Sequence, residues 1–172
     1  MRFDDEYISN LFLRYKRKGI LVDTNLLLLY FVGNYDPRRI LSFERTKSRA
    51  YTIEEFILLV HIFAFFDKRI TTPNILTEVS NLSGKLSDDE KLNYFSEFEK
   101  QTSNFDEEYT PSTSICSLKH FKNFGLTDSG IINLVRDKYL VLSDDGPLVG
   151  YLQNVGIDAV NFNSIRFLAW NR

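Results

Sequence analysis

The sequence is short of several things, and each shortage removes a class of explanation. Its 172 residues hold one cysteine, Cys116, which excludes an internal disulfide and leaves no thiolate cluster for zinc. There are two histidines, neither in a ligand spacing: His61 lies inside "FILLVHIFAFF" and reads as a core histidine, and His120 has no partner motif. Positive charge is not in excess. Twenty-one Lys and Arg face 23 Asp and Glu, for a net charge of −2, so any contact with nucleic acid must come from a local patch. Long apolar runs are missing too. The longest, Phe56 to Phe66, is about half of what a membrane span needs and reads as a buried helix. The opening "MRFDDEYISN" is acidic and polar, unlike a signal peptide. Together these traits predict a chain of the reducing cytoplasm without membrane contact. No internal repeat or low-complexity segment is visible.

What remains is an ordinary globular composition, 44% hydrophobic and 26% charged, at a length that suits one domain, residues 1–172. Asp5 to Lys18 has Tyr7, Ile8, Leu11, Phe12 and Tyr15 at helical spacing and closes on Gly19. "GILVD" reads as a buried strand, followed at once by a helix over Asn25–Phe31 and a turn over Gly33–Pro37. Thr52–Lys68 is a helix opened by the capping box "TIEE". Ile70–Thr72 reads as a short strand and Pro73–Leu82 as a helix with proline at its first position. "SGKLSDDEK" opens a polar-faced helix reaching Gln101. Asn104–Ser114 reads as a loop, Ser117–Asn123 as a short helix ending at Gly125, and Thr127–Asp137 as a helix capped by Thr127. "KYLVLS", Leu148–Asn154 and "GIDAVNF" read as strand, helix and strand. This alternation predicts an α/β domain with a mostly parallel sheet, whose ligands belong at the carboxyl ends of the strands.

Acids stand where that site should be. Asp23 ends the first strand, inside "ILVDTNLLLLY", and Asp144 and Asp145 follow "YLVLS" in the same way. Asp128 heads the apolar stripe Ile131, Ile132 and Val135, where a carboxylate is costly without compensation. Glu78 flanks the inward face of Ile75, Val79 and Leu82. Each has a plainer use: Asp128 at a helix N-terminus, Asp144 and Asp145 in a turn before Gly146-Pro147, Glu78 on the surface. Asp23 has little local structural use. Carboxylates packed together raise one another's pKa, and a divalent cation removes the conflict. Oxygen-only ligation suits Mg²⁺ or Mn²⁺.

The ordered set "VDTN" (Val22–Asn25), Glu78 on a helix, "LTDSGII" (Leu126–Ile132) and "VLSDDGPL" (Val141–Leu148) resembles the PIN domain family, with VapC-type toxins among its members. The resemblance runs from Gly19 to Phe162. It implies a three-layer α/β/α sandwich around the parallel sheet. It also implies a metal-dependent ribonuclease that cuts the backbone to leave a 3′-hydroxyl and a 5′-phosphate. Asp23, Glu78 and Asp128 match the first three family acids. The fourth is Asp145 by the spacing of Ser143, Asp145 and Leu148, with Asp144 as the alternate. Asp23, Asp128 and Asp145 or Asp144 would then ligate Mg²⁺ or Mn²⁺. Asn25 and Ser143 match supporting polar positions, Thr24 more weakly. The chain departs from a minimal VapC-type toxin in an extra N-terminal helix (1–18) and a helical and loop insertion (about 85–124).

An acidic pocket repels RNA, so cations must hold the strand. "RRILSFERTKSR" offers Arg38, Arg39, Arg45, Lys47 and Arg49 against Glu44, as an RNA grip or, in the plainer reading, a solvated basic loop. The resemblance also implies an inhibitor or antitoxin protein as partner and a homodimer, for which the apolar first helices would supply a surface. Two readings compete. A PIN-like module without chemistry would keep the fold and bind no divalent metal. A phosphatase of the haloacid dehalogenase type needs a second Asp two residues after Asp23, where this chain has Asn25.

Overall fold

The computed structural model describes residues 5–83 and 88–170. The chain runs α1 (Glu6–Tyr15), β1 (Ile20–Val22), α2 (Thr24–Tyr35), a 3-10 helix (Pro37–Leu41), α3 (Glu44–Ser48), α4 (Ile53–Phe65), β2 (Arg69–Thr71) and α5 (Pro73–Leu82). It continues through α6 (Asp88–Thr102), β3 (Asp106–Glu107), α7 (Ser112–Cys116), α8 (Phe121–Val135), β4 (Leu140–Ser143), α9 (Gly146–Asn154), β5 (Ala159–Asn161) and α10 (Phe162–Trp170). The five strands form one all-parallel sheet in the order β3-β2-β1-β4-β5, flanked by helices as a three-layer α/β/α sandwich. Among the described residues, no helix is long and apolar enough to cross a membrane.

The strand order explains where a site can form. From β1 the chain builds outward to β2 and β3, then returns to place β4 on the other side of β1. The direction of winding therefore reverses between β1 and β4, and such a switch point opens a crevice at the strands' carboxyl ends. β1 and β4 are buried along their whole length, as a parallel sheet covered on both faces requires. Their register pairs Val22 with Leu142, so Asp23 and the acids after Ser143 leave the sheet side by side.

Local chemistry sets most element ends. Asp5 caps α1 by accepting from the Tyr7 and Ile8 amides. The Thr52–Glu55 capping box is formed at α4, and Thr72 caps α5 with Pro73 at its first position. Gly19 has φ 122° where the chain turns from α1 into β1, a conformation that favours glycine. α1 is built into the core. Ile8, Leu11, Phe12 and Tyr15 are buried, Phe12 packs against Phe65 and Phe66, and Arg14 and Tyr15 both reach Asp158. Tyr7 and Leu13 of the same helix stay exposed.

Several expectations are corrected. The turn over Gly33–Pro37 begins only at Asp36, because α2 runs through Gly33 to Tyr35. A Cβ on Gly33 would stand 2.3 Å from the Phe56 ring, so this glycine serves close packing of α4 and not a turn. The loop Asn104–Ser114 contains β3, an exposed edge strand of two acids, and the first residues of α7. The short helix over Ser117–Asn123 is replaced by α7, ending at Cys116, and by α8, starting at Phe121. α10 follows the last strand directly. His61 is exposed, as are Ile57 and Ala64, so "FILLVHIFAFF" buries one side only, through Leu59, Ile62 and Phe63. The expected helix start in "SGKLSDDEK" falls partly on residues 84–87, outside the described residues; the helix is described from Asp88.

Candidate active site

Asp23 is the residue on which the site is built. It follows β1 and caps α2, its Oδ1 accepting from the Leu26 amide at 3.0 Å. The capping bond gives the carboxylate a fixed direction, and its position under α2 leaves it only 4% exposed. Its Oδ2 takes a short hydrogen bond from the Ser143 hydroxyl, and Ser143 Oγ in turn accepts the Asp145 amide at 2.9 Å. Burial, then the neighbouring charge of Asp144, push the Asp23 pKa up from 3.8 to about 7, against the pull of Ser143, the Leu26 amide and Arg49.

Asp144 and Asp145 separate in role. Asp145 caps α9 through the Leu148 amide at 2.9 Å and lines the cavity beside Asp23. Asp144 is not among the residues lining that cavity. Its carboxylate meets Arg49 Nη1 at 2.7 Å and the Tyr51 hydroxyl at 2.7 Å, with Asn25 Nδ2 at 3.4 Å. Asp144 is therefore a buried, neutralised charge behind the site, and burial followed by Asp144 raises the Tyr51 pKa strongly.

The opposite wall comes from helices. Gly125 breaks α8 with φ 69° and ψ −167°, so the helix restarts and Asp128 lies in the first turn of the new segment. Thr127 does not cap it with its hydroxyl, as the sequence predicts. That hydroxyl donates to Glu78 Oε1 at 2.5 Å, and Thr24 donates to Oε2 at 2.6 Å. Two threonines on α2 and α8 thus hold both oxygens of a glutamate on α5. Burial, then Asp145 and Glu78, push the Asp128 pKa up from 3.8 to about 6.

These residues surround one cavity of about 510 Å³, whose wall includes Asp23, Glu78, Asp128 and Asp145 with Thr24, Asn25 and Thr127. No protein-family model matches the chain, and no curated protein does. The site must therefore be read from its own chemistry.

Its donors are all oxygens, hard ligands that suit Mg²⁺ or Mn²⁺. Burial first, and then neighbouring carboxylates, raise the pKa values of Asp23 and Asp128, and a divalent cation relieves the like-charge part of that cost. Among the described residues no three Asp, Glu, His or Cys side chains form a ready ligand group. The oxygen donor set still fits such a cation.

The basic segment divides. Arg45 and Arg49 line the acidic cavity. Arg38 folds back on Asp36, Arg39 pairs with Glu90, and Lys47 is exposed. Sequence reasoning passed over Tyr51 and assigned Thr127 to a cap. The Tyr51 position, one residue before a capping box, carries no local signal of a partner nearly a hundred residues away.

Proposed function

We propose that this cavity is the active site of a divalent-metal-dependent endoribonuclease. The observation that carries the reading is the convergence of Asp23, Glu78, Asp128 and Asp145, from four separate elements, on one cavity at the sheet's switch point. Asp23 and Asp128 are the residues that would hold Mg²⁺ or Mn²⁺, with Asp145 beside them. A bound ion of this kind supplies a nucleophilic water at neutral pH and offsets charge on phosphoryl oxygens.

The chain's own groups do the rest. Glu78, fixed by Thr24 and Thr127, orients a water or accepts its proton. Ser143 couples the Asp23 carboxylate to the Asp145 backbone and so sets the distance between two of the acids. Asn25 and Arg45 present an amide and a guanidinium to a backbone phosphate on the cavity rim. Within this reading the protein acts as a toxin or defence effector, and its inhibitor would block the cavity, with an Arg reaching the carboxylates.

A second reading has support of its own. Asp23 and Asp145 both serve as helix caps, and both oxygens of Glu78 are hydrogen-bonded, so three of the four acids have a structural use in a PIN-like module without chemistry. One experiment separates the two. Total RNA is incubated with the protein in Mg²⁺ or Mn²⁺, with and without chelator, and the cut ends are mapped. Metal-dependent cuts lost in Asp23→Asn support the nuclease. Intact RNA, together with no divalent-metal binding by calorimetry, supports the module.

A further inference from the structure

The acidic cavity does not end at its own wall. A second cavity of about 550 Å³ lies beside it, and Arg45, Asn81 and Leu82 line both. The two adjoin as one trough at these shared residues, Arg45 on α3 and Asn81 and Leu82 at the end of α5. Its far part is mixed, with Ser42, Phe43, Glu44, Ser48, Arg39 and Glu90 on the walls.

The charges along this trough are not equivalent. Arg39 is paired with Glu90, Arg49 with Asp144 and Arg38 with Asp36. Arg45 is exposed and has, among the described residues, no ion pair. Its Nη2 makes only a 3.5 Å contact to Asn25 Oδ1. A guanidinium without a carboxylate, placed between an acidic pocket and a mixed one, is suited to a bidentate phosphate contact.

We infer that the second cavity is a subsite for the nucleotides flanking the scissile phosphate, and that Arg45 is the positioning residue that binds the phosphate between the two cavities. The inference rests on the nuclease reading for its substrate, RNA, and adds where the strand runs and which cation holds it. The remaining arginines of the segment then contribute little directly. Ser42, Ser48 and Asn81 offer hydroxyl and amide groups to sugars or base edges in the far cavity.

The test is binding, so it does not depend on cleavage. Uridine oligomers of two and eight nucleotides are titrated against the Asp23→Asn protein in chelator, by fluorescence anisotropy at several salt concentrations. Arg45→Gln is expected to weaken octamer binding by about ten-fold and to reduce the salt slope by about 0.7, the value for one phosphate contact to a single strand. Dinucleotide binding should change far less, Arg45→Lys should recover part of the loss, and thermal melts of the variants should coincide. Arg38→Gln should leave both oligomers unaffected. An unchanged octamer affinity in Arg45→Gln, an equal loss in Arg38→Gln, or no RNA binding at all would overturn the inference. If the wild-type protein with Mg²⁺ cuts nothing but the Arg45 pattern is found, the nuclease reading fails and the trough stands as an RNA-binding site with Arg45 as its phosphate contact.

Discussion

The two walls of the acidic cavity are built on different principles. The strand wall, buried Asp23 with half-buried Asp145, is fixed by backbone amides, those of Leu26 and Leu148. On the helix wall Glu78 is exposed and held by two threonine hydroxyls, and Asp128 is half-buried. The strand wall is thus tied to the main chain, while the helix wall depends on two side-chain hydrogen bonds.

The sharpest way to break the strand wall is Asp23→Asn. Asparagine is as good an N-cap as aspartate, so the start of α2 should survive while the charge is lost. RNA cleavage should fall by about 10²–10⁴-fold with circular dichroism unchanged; retained cleavage would remove Asp23 from the chemistry. Next in size is the helix wall. Replacing both Thr24 and Thr127 by Val frees Glu78 and should lower cleavage by about 10–100-fold, the usual effect of losing groups that orient a ligand. Thermal stability, followed in the same preparations, should fall little from loss of the Thr24 bond and more from Thr127, which is buried.

The charge behind the strand wall is expected to matter for folding. Arg49→Met leaves Asp144 with the Tyr51 hydroxyl but no cation. Breaking a fully buried pair costs about 3–5 kcal/mol; Arg49 is 30% exposed, so about 1–3 kcal/mol is expected in urea unfolding. A further effect concerns pH. Asp23 and Asp128 bind protons more tightly folded than unfolded, with pKa values raised from 3.8 to about 7 and about 6. Their contribution to stability is full below about pH 4 and is lost as pH rises through 6 and 7. Without divalent metal, melting should drop across that window from these two groups. Asp23→Asn should flatten the drop, and Mg²⁺ should stabilise the wild type more at pH 8 than at pH 5.

Much of this comparison was legible in the sequence, and unevenly so. Asp23 and Asp128 could be found because a carboxylate stands at the edge of an apolar pattern, which is a local contradiction. The parallel sheet followed from alternation, and the Thr52 capping box from three residues. What stayed hidden depends on partners distant in the chain. Gly33 reads as a turn until the Phe56 ring is placed against it. Asp144 and Asp145 are one residue apart, and only the positions of Arg49 and Tyr51 distinguish a neutralised charge from a cavity wall. β3 is two acidic residues, with no pattern of its own, that become a strand only because β2 lies beside them. His61 sits in an apolar run, yet the helix that carries it turns that side outward.

The central claim is that these carboxylates are kept together to hold a divalent cation. A crystal of the wild-type protein soaked in Mn²⁺ tests it most directly. The account predicts an anomalous peak between Asp23 and Asp128 that disappears in Asp23→Asn. A fully soaked crystal with no peak in the cavity would contradict it.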